Sequence, residues 1–310
     1  MTAEANRTRV ALAVCTYRRN EALAGLLEAI ERMAARDAGL YALGVVVVDD
    51  SAERLAEDLV ASFDARFELG ATYRHSGARN ISKARNMALE AAAAVGDWVA
   101  MTDDDCEPSE RWLAELLRIQ AETGAPVVTG GLLRRAPPGA PKWLVEQPFL
   151  NMSRYEADDG QPMATAFTNN CLMSAAMLRD NPQLRFRTEF GRIGGEDTVF
   201  FHEIAAAGFA IRFARHALMY ENEEESRLTL RYQLRRAFWY GNTSIQTSRQ
   251  KGVGRGKLAL HSVASIARAF AAPVRRLAGG QPPHWLYAIA QVIEGAGKVA
   301  GVAGVRVKHK

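Results

Sequence analysis

Trp98-Val99-Ala100-Met101-Thr102-Asp103-Asp104-Asp105 is an apolar run that ends on three consecutive acids. The run reads as a buried strand, and the acids stand where that strand would leave the core. Adjacent carboxylates repel one another, so three in a row destabilise a fold unless positive charge sits among them. Hard oxygen ligands suit a divalent cation such as Mg²⁺ or Mn²⁺, which commonly bridges to phosphate oxygens. A metal-bound nucleotide diphosphate is the ligand that this chemistry would take; the bland alternative is a solvated acidic turn. The sequence on either side bears on the choice.

Strand and helix signals alternate outward from this stretch. Residues 10–14 read as a strand, and residues 21–35 as a helix, with Leu23, Leu26, Leu27, Ile30 and Met33 at helical spacing. Residues 43–48 form a continuous apolar run, the pattern of a strand covered on both faces. A helix over 52–63, a short strand over 71–74 and an alanine-rich helix over 81–94 follow. Then come a strand over 97–101, a helix over 109–123 and a strand over 127–129. Repeated strand–helix units predict an α/β fold with a Rossmann-like, mostly parallel sheet flanked by helices. In such sheets ligands bind beyond the carboxyl ends of the strands. That rule places Thr16, Asp49-Asp50 and Asp103–Asp105 along one crevice.

Residues 134–162 break the pattern. Arg134-Arg135-Ala136-Pro137-Pro138-Gly139-Ala140-Pro141 is a loop by composition. Trp143, Phe149, Tyr155 and Met163 lie in or near it, as a lid or acceptor wall or as packing of a long surface loop. Residues 167–173 read as a strand, 175–179 as a short helix, and Gly194-Gly195-Glu196-Asp197 opens a helix over 198–207. Strands are expected over 209–213 and 217–220. From Arg227 onward the pattern is helical, with apolar stripes through Leu230, Leu234 and Phe238, through Val263, Ile266, Phe270, Val274 and Leu277, and through Trp285, Ile289, Val292, Ile293 and Ala296. Pro273 is expected to kink the second.

Of 310 residues, 48% are hydrophobic and 24% charged, an ordinary globular mix that can bury a sizeable core. No apolar run approaches a membrane span. Val10-Ala11-Leu12-Ala13-Val14-Cys15 is too short for a lipoprotein signal and lacks a small residue before Cys15. The three cysteines, Cys15, Cys106 and Cys171, are too scattered for a disulfide framework or a zinc site, and a reducing cytoplasm suits them. Net charge is +4, and its excess sits in the last third, where Glu294 is the single acid after Glu225. Such asymmetry points to an anionic partner or to solvated helix faces. For residues 255–310, a membrane-touching amphipathic region and a helical subdomain docked on the core or on a second subunit remain open readings.

Two further clusters carry chemistry. Asn80-Ile81-Ser82-Lys83-Ala84-Arg85-Asn86 opens a helix whose first amides, with Lys83 and Arg85, favour anions or polar rings. Asp49, after a buried strand, can accept a hydrogen bond from a base edge or a ribose hydroxyl. Gly194 and Gly195 let the backbone approach a ligand, and Glu196 and Asp197 are favoured at a helix start. They are either capping residues or the general base that a metal–diphosphate site needs. Asn169-Asn170 is expected to face the donor sugar or acceptor, or else to satisfy strand-edge backbone.

Val14-Cys15-Thr16-Tyr17-Arg18-Arg19, Val47-Val48-Asp49-Asp50-Ser51, Asn80 to Asn86, Thr102-Asp103-Asp104-Asp105 and Gly195-Glu196-Asp197 occur in the order seen in family 2 glycosyltransferases of GT-A fold, which the chain resembles over roughly residues 8–240. The resemblance implies an inverting transfer from a nucleotide diphosphate sugar, most commonly a UDP-sugar, to an acceptor hydroxyl. It implies a catalytic domain over 1–225, with a nucleotide-binding half over 1–130 and an acceptor half over 131–225, and a basic helical extension over 226–310. Thr16, Asp49 and Arg85 look like base contacts, with Tyr17, Arg18, Asp50, Ser82, Lys83, Asp104 and Asn170 joining them around the donor. Asp103 looks like the ribose or metal-side acid, and Asp105 like the direct ligand of Mn²⁺ or Mg²⁺. Asp197 looks like the general base, with Glu196 orienting substrate. Many relatives place a histidine after the last core strand. Here Tyr220 or Glu221 stands there, which makes Glu221 a candidate metal ligand and His216 its alternative. A nucleotidyltransferase would want a glycine- and lysine-rich loop after the first strand, where 16–20 holds no glycine. A nucleic-acid-binding protein would leave the cleft acids unexplained, since they repel a phosphate backbone, so no nucleic acid is expected. The expected setting is the cytoplasm, at the inner face of the membrane where residues 255–310 would touch it, with a homodimer as a second use of those helices.

Overall fold

The computed structural model describes residues 7–150 and 157–308. Strand β1 (Thr8–Thr16) lies between β2 (Tyr41–Asp49) and β4 (Trp98–Asp103), and β3 (Ala71–His75) continues the sheet beyond β2. These four strands are parallel. The crossovers are α1 (Asn20–Arg36), α2 (Glu57–Ser62) and α3 (Ile81–Val95). Every residue of β2 is buried, as its unbroken apolar sequence requires. Side-chain alternation divides the core between two faces. Val10, Leu12 and Val14 join Leu23, Leu27 and Ile30 of α1 on one side, and Ala11 and Ala13 meet Ala84, Ala88 and Ala92 of α3 on the other.

The sheet then turns antiparallel. After β5 (Cys106–Pro108) and α4 (Trp112–Thr123), the chain forms β6 (Val127–Arg135), α5 (Lys142–Val145), β7 (Cys171–Ser174), α6 (Ala175–Asp180), α7 (Glu196–Ala206) and β8 (Ile211–Asn222). Strand β7 pairs antiparallel with both β4 and β6, β5 pairs antiparallel with β8, and the order is β3-β2-β1-β4-β7-β6-β8-β5. Three helices follow: α8 (Leu230–Gln250), capped by the Thr229 side chain, α9 (Arg255–Ala278), which contains Pro273, and α10 (Trp285–Val302). None of the described helices is long and apolar enough to cross a membrane. Two compact units result. Among the described residues, one holds 7–133, 157–191 and 196–221, and the other holds 134–150, 192–195 and 222–308. Cys15, Cys106 and Cys171 are all free thiols in the first unit.

Several expectations change in detail. The helix expected over 52–63 is confined to Glu57–Ser62, because the Asp49 carboxylate takes the amides of Ser51 and Ala56 and curls the intervening residues into a turn. The strand expected over 167–173 begins only at Cys171, since residues 167–170 close a turn through Asn170 N–H and Phe167 C=O. The segments 209–213 and 217–220 merge into the single strand β8. Trp143 and Phe149 pack edge to face at 5.3 Å, and Phe149 does the same with Tyr287 of α10 at 5.4 Å, so these aromatics form a small core rather than a lid. Met163 packs against the α3 face of the sheet, and Tyr155 lies outside the described residues.

Candidate active site

Parallel pairing brings the strand ends together. Thr16 stands opposite Asp49, Asp49 opposite His75, and Cys15 opposite Asp103. Arg85, on the second turn of α3, reaches the same edge. Its Nη2 donates to Asp103 Oδ1 at 3.1 Å, and its Nη1 donates to Glu196 Oε1 at the start of α7. Asp103 of the acidic triplet and Glu196 at the start of α7, 93 residues apart in sequence, thus converge on one buried guanidinium. Asp197 is half-buried beside Glu196, and its Oδ1 accepts from Thr198 N–H at 2.6 Å and Thr198 Oγ1 at 3.2 Å. Both acids lie in the first turn of α7, where the helix dipole favours negative charge.

The acids outnumber the cations, and the titration behaviour reflects it. Burial pushes the Glu196 carboxyl up to about 7; Arg85 opposes this and Asp197 adds to it. Burial also raises Asp103, with Arg85 opposing and Glu221 and Asp197 reinforcing. Burial draws the Arg85 guanidinium down, but the charges of Glu196, Asp103 and Asp197 prevail and hold it above the usual arginine value. Burial lifts Asp104 to about 6 against the pull of Arg19. Glu196 Oε2 and Ser82 Oγ are buried with no hydrogen-bond partner in the protein. Such groups cost about 1–3 kcal/mol each unless something satisfies them.

This donor set fits a divalent cation of one kind. Among the described residues no three His, Cys, Asp or Glu side chains gather into a ready-made cage. Mg²⁺ and its like need no cage when phosphates and water complete the shell, and one or two carboxylates then suffice. Asp103, 40% exposed and repelled by Glu221 and Asp197, is a carboxylate that a cation would relieve.

The remaining candidates divide. Thr16 Oγ1 donates to Asp104 Oδ2 at 2.7 Å, which ties β1 to the acidic triplet. Asp50 holds the loop before α3, accepting from Ser76 Oγ and from the amides of Ala78 (2.9 Å) and Asn80 (2.7 Å). Asp49, fully buried, accepts from Ser51 and Ala56 amides at 2.8 and 3.0 Å and from the Tyr73 hydroxyl at 3.4 Å. Lys83 is exposed, and its amide donates to the capping Asn80 Oδ1. Tyr17 and Arg18 are exposed too, and Arg18 pairs with Glu53. Asn170 requires a correction. Its Nδ2 donates to Gly131 C=O (2.8 Å) and Ala217 C=O (2.7 Å), and its Oδ1 accepts from Trp112 Nε1 (2.8 Å). Both ends of the amide are spent joining β6, β8 and α4, so Asn170 is a structural bridge and not a donor-facing group. Glu221, opposite Cys106 in the β5–β8 pair, reaches Asp103 electrostatically, whereas His216 points to solvent near Asp159.

Two features escaped the sequence. Arg19 Nη1 contacts Asp104 Oδ1 at 3.2 Å and Asp105 Oδ2 at 2.9 Å, making it the second cation of the acidic cluster. Only its place three residues after the β1 end signalled this. Gly194 and Gly195 have φ of 83° and 85°, and a Cβ on either would strike Trp239 or Thr243 and Thr247. Both glycines serve left-handed backbone and tight packing beneath α8 side chains.

Comparisons with known proteins bear on the family and the fold. A family model described as glycosyl transferase family 2 matches residues 12–181. The chain is 34% identical over 246 residues to the succinoglycan biosynthesis protein ExoM of Rhizobium meliloti (strain 1021), covering 78% of this chain and 76% of that one. Its fold is similar to crystal structures of residues 1–349 of TarS from S. aureus. The complex with UDP aligns with a TM-score of 0.51 at 16% identity, and the complex with UDP-GlcNAc with 0.52 at 17%, each covering 96% of this chain and 92% of the other.

Proposed function

The chain belongs to glycosyl transferase family 2 and is a glycosyltransferase with a GT-A-like fold, and on that premise we propose that it moves a sugar with inversion from a UDP-sugar to an acceptor hydroxyl in polysaccharide assembly. The observation that carries the reading is the Arg85 bridge, which joins Asp103 at the end of β4 to Glu196 at the start of α7. The succinoglycan role of ExoM supports a polysaccharide product, and the UDP ligands of TarS support the donor.

In this reading Asp197 takes the proton of the acceptor hydroxyl as its oxygen attacks the anomeric carbon opposite the diphosphate. A single displacement makes a β-linked product from an α-linked donor. Glu196, held by Arg85, orients the acceptor side of the pocket. Asp103 and Asp105, with Glu221 beside them, would hold Mn²⁺ or Mg²⁺, and the cation would neutralise charge on the departing diphosphate. Arg19 and Arg85, which now occupy these acids, keep the cluster from repelling itself before the donor arrives. The proposed setting is the cytoplasm at the inner face of the membrane.

The test is to incubate the protein with Mn²⁺ and a panel of nucleotide sugars and follow nucleoside diphosphate. UDP release from one UDP-sugar, lost on chelation, is expected. Asp105→Ala should weaken metal-dependent donor binding. Release of pyrophosphate would reassign the chain to nucleotidyl transfer, and absence of binding to every nucleotide would end the donor reading.

A further inference from the structure

Helix α9 carries three distinct faces. Leu258, Ser262, Ala269 and Pro273 are buried. At 100° per residue, the stripe Val263, Phe270, Val274 and Leu277 lies about 100° round the helix from the buried row, and all four are exposed, Phe270 at 66%. A third row, Lys257, Arg268 and Arg275, is exposed about 135° round the helix from that stripe, and the exposed Leu260, Ala267 and Ala271 fill the sector between them. Helix α10 repeats the feature without charge. Trp285, Ile289 and Val299 fall on one line and are exposed, Trp285 at 54%. The two stripes are continuous, because Phe270, Trp285 and Ile289 line one apolar groove between the helices. Isolated exposed apolar residues need no explanation, but two adjoining stripes on helices that also expose a basic row do.

We infer that this α9–α10 face is a docking surface for an anionic lipid bilayer, lying in the headgroup region with Phe270, Val274, Trp285 and Ile289 inserted and Lys257, Arg268 and Arg275 against lipid phosphates. The inference places on named residues the membrane setting proposed above and does not depend on the donor. Charge complementarity selects the occupant. Glu294 is the single acid of residues 255–310, and it is paired with Lys298 at 2.8 Å. A second copy meeting the same face would set basic rows together with no carboxylate on either side to pair them, whereas an anionic bilayer supplies the missing charge. An exposed tryptophan in a segment rich in basic residues is the composition that favours an interface plane over a protein core. No described helix is apolar enough to span, so the contact is one of lying on the bilayer.

The experiment is co-sedimentation of the full chain with vesicles of phosphatidylcholine alone and of equal parts phosphatidylcholine and phosphatidylglycerol, across a salt series. Binding to the mixed vesicles, weakened by salt, is expected. Each basic residue near an anionic surface contributes about fivefold in partitioning, so Lys257→Glu/Arg268→Glu/Arg275→Glu should lower it by roughly a hundredfold or more. Phe270→Ser/Val274→Ser should remove the binding that survives high salt. All five positions are exposed, so thermal melts of both variants should match the parent, and nucleoside diphosphate release in solution should persist in both. Failure of the parent to bind mixed vesicles, or unaltered binding by the charge-reversed variant, overturns the inference. So does a dimer in sedimentation velocity that Phe270→Ser/Val274→Ser disperses, which would give the face to a second copy. Because donor turnover is measured separately, none of these results bears on the transferase reading.

Discussion

Arg85 holds Glu196 and Asp103 with one guanidinium, and its planar fork is what allows two acids from distant segments to share it. Asp197 stands next to this pair without belonging to it. Asp197→Asn should therefore leave donor binding nearly unchanged while turnover falls by about 10²–10⁴-fold, the usual contribution of a general base. Equal losses in affinity and rate, measured by titration and single-turnover kinetics, would make Asp197 a binding group. Glu196 also sets a pH dependence. Its carboxyl rises from 4.5 to about 7 on folding, so the folded state binds more protons over that interval. The stabilising effect is full below pH 4.5 and is lost as pH rises through about 7. Melting temperatures across this window should fall for the parent relative to Glu196→Gln, with a constant gap at higher pH. Asp103, Arg85, Glu196 and Asp197 were readable because each sits in a short motif at an element boundary. Asn170 was not. Its partners, Gly131, Ala217 and Trp112, lie 39 to 58 residues away, and no local pattern marks a side chain that bridges three segments.

Hydrophobic period decided most elements, and it worked where burial is regular. Helix α1 shows the five expected positions buried, and β2 is buried throughout. Strand β5 went unread because it is three residues long, ends in Pro108, and exists only through pairing with β8 more than a hundred residues later. The helix expected over 52–63 failed for the opposite reason: its apolar spacing was genuine, but two hydrogen bonds to Asp49 outcompeted the first turn. Close crossing of α8 and α10 was equally hidden. Gly241 faces the Glu294 carbonyl and Gly297 faces the Phe238 carbonyl so tightly that neither has room for a Cβ. Gly297→Leu should force the backbones apart and cost about 1–3 kcal/mol or more, read from urea unfolding. Gly256→Leu, at an exposed position where nothing lies within 4 Å, is the control and should change little by overpacking.

At the scale of the molecule, the parallel half of the sheet follows from repeated strand–helix units, whereas the order β7-β6-β8-β5 does not. Crossovers between parallel strands leave a helix in the sequence as their mark; antiparallel closures between remote strands leave none. All the acids and arginines of the proposed chemistry lie in the first compact unit, and the exposed apolar stripes lie in the second. The cysteines complete the picture of the first unit. Burial pushes Cys15 up to about 12, and Cys106 and Cys171 well above their usual value. Thiolate is the reactive form, so all three should resist maleimide in the native protein at neutral pH and react only after denaturation, as counted by mass spectrometry. With that outcome, the natural chain would be its own silent background for spectroscopy. A single cysteine placed at Phe270 or Ile289 would take a spin label or fluorophore alone, and would report immersion depth without prior removal of any native sulfur.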